Sequence, residues 1–102
     1  MRTPLDPSAL AALLARGWTG GPERVWRTTT LPADREAELR RRVAEAADAL
    51  DHHPVLEQDP DGGTRWVLWT HSVGGVTELD ATLAARIDAL VDEIGGEPSG
   101  TP

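Results

Sequence analysis

Apolar residues recur at steps of three and four along three separate stretches of the chain. Leu10, Leu13 and Leu14 make the first run. Leu39, Val43, Ala46 or Ala47, and Leu50 make the second, and Leu83, Ile87, Leu90 and Ile94 the third. Such spacing gathers side chains on one face of a helix. Each run is preceded by a start signal. Asp6-Pro7 reads as an N-cap followed by proline at the first helical position, Pro32 and Asp34 open the second run, and Thr77-Glu78-Leu79-Asp80 is a capping box. Gly17 ends the first helix, and the second, over 33–50, runs directly into His52.

The stretches between the helices change period. "GWTGG" and "RVWRTTTL" flank a turn at Gly20-Gly21-Pro22, and "VLEQ" and "TRWVLWTH" flank "DPDGG", so each pair predicts a hairpin. In the last strand Trp66 and Leu68 alternate with Val67 and Trp69. The two tryptophans therefore point to opposite faces, one into the core and the other toward a pocket or an interface. The order α-β-β-α-β-β-α predicts an α+β fold, a four-stranded antiparallel sheet with three helices packed on one face. One domain over residues 1–95 is expected, followed by a flexible Gly, Pro and Ser-rich tail at 96–102. The other face of the sheet must then meet solvent or a second copy. With few large apolar residues to bury, a homodimer or homotetramer is expected.

Composition narrows the chemistry. The chain has 102 residues, no cysteine and a net charge of -7, with 17 acidic against 10 basic residues. Disulfides and thiolate metal sites are excluded. The acidic balance argues against direct nucleic-acid binding, which relies on neutralising phosphates. Arg40-Arg41-Arg42 lies within the second helix and reads as a solvated face. Every basic residue is an arginine, and lysine, tyrosine and phenylalanine are absent. That removes a Schiff-base lysine, a tyrosine acid and a cysteine nucleophile from the options. No apolar stretch approaches the roughly 20 residues that span a bilayer. "MRTPLDPSAL" lacks a signal-peptide pattern, so a cytoplasmic location is expected.

What remains is histidine. The chain has three, and two stand together in "DHHP", at His52 and His53. Pro54 disfavours helix at His53, so the two rings should diverge. His71 lies at the end of the fourth predicted strand, and the intervening hairpin can return it to the same end of the sheet. Asp80 follows, just past the Gly74-Gly75 loop. Free imidazole titrates near about pH 6.5, which suits general acid-base work at neutral pH. Each residue also has a plainer reading: His52 and His53 as complements to a helix dipole, His71 as an ordinary strand end, Asp80 as a cap. A three-histidine zinc site is the sharper rival. Adjacent histidines point their rings apart, so no metal and no cofactor is expected.

"DHHP" at a helix end, "THSVGGVTELD" sixteen residues later and "ATLAARIDAL" after it together resemble the pterin-4a-carbinolamine dehydratase family. The resemblance covers roughly residues 5–95. It implies the same fold and the dehydration of 4a-hydroxytetrahydrobiopterin to the quinonoid dihydropterin, in the recycling of tetrahydrobiopterin used by aromatic amino-acid hydroxylases. It implies His52 and His71 as the proton-transferring pair, His53 in binding and catalysis, and Asp80 as their supporting acid. His52, His53 and Pro54, with Thr70, His71, Ser72 and Val73, match the segments that line the pterin pocket. Asp48, four residues before His52, matches the family's acidic position. The chain departs from the pattern at Pro60, where the family usually has an aromatic residue and the hairpin here looks one residue longer. It also carries Val73 where some members have cysteine. The alternative is a binding module on the same fold, since family members also act as dimerisation or assembly cofactors for other proteins.

Overall fold

The computed structural model describes residues 3–60 and 62–95. The expected flexible tail at 96–102 lies outside them. The elements follow the predicted order: α1 (Pro7–Ala15), β1 (Thr19–Gly20), β2 (Val25–Thr29), α2 (Ala33–Leu50), β3 (Val55–Gln58), β4 (Thr64–Leu68) and α3 (Glu78–Gly95). Asp6 caps α1 by accepting the Ala9 N–H at 2.9 Å. That bond, with one from the Ser8 hydroxyl, holds its carboxyl below the usual carboxylate range. Pro32 stands at the N-cap of α2 and offers no side-chain cap. Buried Glu36 takes over that work by accepting the Leu31 N–H and the Thr29 hydroxyl. The Thr29 oxygen in turn accepts the Trp66 indole N–H at 2.9 Å, which fastens β2 and β4 to the first turn of α2.

The strands form one antiparallel sheet in the order β1-β2-β4-β3. Opposite partners Val25 and Leu68, Arg27 and Trp66, and Thr29 and Thr64 share the face that meets the helices. There the core gathers Leu39, Val43 and Ala47 of α2, Leu83, Ile87 and Leu90 of α3, and Leu13 of α1. The helical stripes thus bury as their spacing predicts, with Ala47 deeper than Ala46. Trp18 joins this core from the α1–β1 link. Asp88 of α3 accepts from the Trp18 indole, from Arg16 at the end of α1 and from Arg27 of β2. The opposite face carries Trp26, Val67 and Val55 in adjacent register. Val67 is buried there among strand side chains that include Trp26, Glu57 and Arg65. No described helix is long and apolar enough to cross a membrane.

Candidate active site

Helix α2 ends by a backbone reversal that neither glycine nor asparagine provides. Asp51 takes the left-handed conformation at φ 53° and ψ 42°. The His52 N–H then bonds back to the Ala47 carbonyl at 3.0 Å and the Asp51 N–H to Asp48 at 3.1 Å, the pattern of a Schellman stop. The chain leaves the helix axis at that point, and Pro54 leads it into β3. The two neighbouring imidazoles diverge as predicted. His52 turns inward and meets Asp80, Nε2 to Oδ1 at 2.6 Å, with only 10% of its side chain exposed. His53 turns outward and meets Asp48, Nε2 to Oδ1 at 2.7 Å, on the exposed last turn of α2.

β4 stops at Leu68, so His71 does not end the strand but sits in the turn beyond it. The turn closes on Thr70, whose N–H bonds to the Gly75 carbonyl at 2.8 Å and whose carbonyl accepts the Gly74 N–H at 2.9 Å. Gly74 supplies a φ of 77°. Val76 then bonds to the Pro22 carbonyl at 2.9 Å, seating the turn against the β1–β2 hairpin. A Cβ on Gly75 would approach that same carbonyl to 2.9 Å, so the position has no room for a side chain.

The result is one open pocket of about 410 Å³, lined by His52, His53, Val55, Trp69, Thr70, His71 and Ser72. The volume falls within the range of small-ligand sites. All three histidines reach it. Trp66 is the core tryptophan and Trp69 the pocket wall, with the Arg24 guanidinium 5.2 Å from the centre of its ring. Asp80 is fully buried and stands behind His52 instead of lining the pocket. Pro54 faces a smaller recess beside α2, and Val73 is an exposed residue outside the pocket lining. The strand alternation set the two tryptophans on opposite faces without saying which one walls the pocket, and nothing in the local sequence marked Val55. Among the described residues no group of three or more His, Asp or Glu side chains is arranged to hold a metal ion.

Comparison with known proteins supports the fold that carries this pocket. The sequence model of the pterin 4 alpha carbinolamine dehydratase family matches residues 3–90. A protein of Mycobacterium sp. (strain KMS), provisionally named a pterin-4-alpha-carbinolamine dehydratase, is 40% identical over 82 residues, covering 74% of this chain and 81% of its own. The mitochondrial pterin-4-alpha-carbinolamine dehydratase 2 of Arabidopsis thaliana is 36% identical over 67 residues, 66% of this chain and 35% of its own. A crystal structure from Brucella melitensis, of a protein called a transcriptional coactivator/pterin dehydratase, superposes with a TM-score of 0.74 at 29% identity. It covers 86% of this chain and 98% of that one. The match spans both the helix end that carries the paired histidines and the turn that carries the third, and on that extent the chain belongs to the pterin 4 alpha carbinolamine dehydratase family.

Proposed function

We propose that this protein dehydrates 4a-hydroxytetrahydrobiopterin to the quinonoid dihydropterin by histidine general acid-base catalysis, as a step in tetrahydrobiopterin recycling. The observation that carries the reading is the convergence of three imidazoles on one open pocket, with a buried carboxylate behind one of them. Breaking the C4a–O bond releases water. One proton must reach the leaving hydroxyl and one must leave a ring nitrogen, so the reaction is proton-neutral overall. His52 suits the base, because Asp80 at 2.6 Å stabilises the imidazolium that forms when it takes a proton. His71, on the exposed turn, suits the acid and can reload from solvent. His53, steadied by Asp48, contributes to binding, and Trp69 offers a flat wall to a bicyclic ring.

The test is to mix purified protein with freshly generated 4a-hydroxytetrahydropterin and follow dehydration by absorbance. Acceleration is expected from the native chain. It should fall by about 10²–10⁴-fold in the His52→Ala/His71→Ala double variant, the usual scale of acid-base assistance. Equal rates with and without protein would remove the enzymatic reading.

A second reading is a binding module that serves as a dimerisation or assembly cofactor. The double name of the Brucella protein favours it. So does the helix-free sheet face, where edge strand β3 exposes Val55. In the enzymatic reading, an aromatic amino-acid hydroxylase is the source of the substrate. Either reading accommodates a homodimer or homotetramer.

A further inference from the structure

Asp80 has no solvent-accessible surface, so neighbouring protein groups supply its polar partners. Its two oxygens are divided between two tasks. Oδ1 meets His52. Oδ2 accepts the Thr77 N–H at 2.8 Å and the Thr70 hydroxyl at 2.8 Å. The Thr70 and Thr77 oxygens are 2.7 Å apart, and the Thr77 oxygen accepts the Leu79 N–H at 3.2 Å. One proton direction satisfies the short bonds: Leu79 N–H to Thr77, Thr77 O–H to Thr70, and Thr70 O–H to Asp80, while the Thr77 oxygen also lies 3.4 Å from Oδ2. Chains of hydrogen bonds that run one way reinforce each other. This one begins at the first turn of α3, where backbone N–H groups are free to donate, and it ends on the carboxylate that holds His52.

We infer that Thr70 and Thr77 are positioning residues, which fix Asp80 so that it binds the Nε2–H tautomer of His52 and leaves Nδ1 as the ring nitrogen that meets the substrate. The inference rests on His52 acting as proposed above, but its geometry stands independently of the reaction. With Oδ2 occupied by two donors, Oδ1 is the acceptor that remains for His52. Nδ1 has no hydrogen-bond partner among the described residues. Thr70 borders the pocket, yet it is almost wholly buried and its hydroxyl is committed to Thr77 and Asp80. Its side chain therefore acts through His52 and not by contact with the pterin.

The test compares Thr70→Val with Thr70→Ser, reading kcat, KM and the ¹⁵N imidazole resonances of His52, assigned by their absence in His52→Asn. Thr70→Val should lower kcat by about 10- to 100-fold, the scale of one hydrogen bond to a charged group, with KM nearly unchanged. Its His52 should change from a single Nε2–H tautomer to a mixture. Thr70→Ser should restore both. Thr77→Val keeps the backbone N–H on Oδ2 but removes the preceding link in the chain. It is expected to shift in the same direction and serves as a second variant should Thr70→Val not fold. A native kcat together with an unchanged tautomer in either folded Val variant would overturn the inference. An inert native protein would remove the catalytic reading instead, and the tautomer spectra would still decide this one.

Discussion

At the scale of single residues, the site depends on one left-handed aspartate. Asp51 carries φ 53°, a conformation that β-branched side chains resist at a cost of roughly 1–2 kcal/mol. Asp51→Gly should leave thermal stability unchanged or slightly raised, because glycine enters this region freely. Asp51→Val should lower stability by about 1–2 kcal/mol. It should also reduce activity, because His52 follows directly and its N–H closes the helix end onto Ala47. Thermal melts beside turnover check both, and a Val variant that matched the native protein in each would show that the reversal does not set the ring. The paired histidines themselves were legible in the sequence, since "DHHP" announces a helix end and a divergence of the two rings. Their partners were legible only in part. A carboxylate five residues before His53 or twenty-eight after His52 can stand anywhere until the chain reversal and the α3 cap place it.

At the scale of elements, the periodic runs gave the clearest signal. α2 spans the residues that its apolar stripe and bounding prolines predict, and α3 begins at its capping box. Burial on one face is enough to define such helices. The β4 end was less clear, because Trp69 and Thr70 continue the alternation although the hydrogen-bonded ladder stops at Leu68. Beyond it, backbone bonds to Gly75 and Pro22 decide the path, and side-chain pattern carries no record of those bonds. Trp18 was missed as a core residue for a related reason. Its indole depends on Asp88, seventy positions away, which α3 brings alongside. Asp88→Ala should therefore cost about 1–3 kcal/mol by leaving the Trp18 N–H and the Arg27 guanidinium short of an acceptor. A denaturant titration would measure it, and a midpoint within error of the native one would mean that water replaces the carboxylate without loss.

At the scale of the molecule, the three described helices pack on one side of the sheet, and among the described residues the other side has only its own side chains for cover. Trp26, Val55 and Val67 form an apolar row there, flanked by Arg24 and Arg65. An oligomer would take that row out of water. Light scattering on the purified chain should give two or four times 11.0 kDa, and a mass of one chain would leave the sheet face to solvent or to a different protein.

The seating of Gly75 against Pro22 has a consequence for redesign. Widening the range of accepted ring substituents would mean altering the turn that carries His71. That turn is free to vary at Ser72 and Val73, which are exposed and make no side-chain hydrogen bond among the described residues. It has no such freedom at Gly75, where a single added methyl would press on the β1–β2 hairpin and carry the histidine with it. A library aimed at new pterins should therefore randomise 72 and 73 and leave 20–22 and 75 untouched.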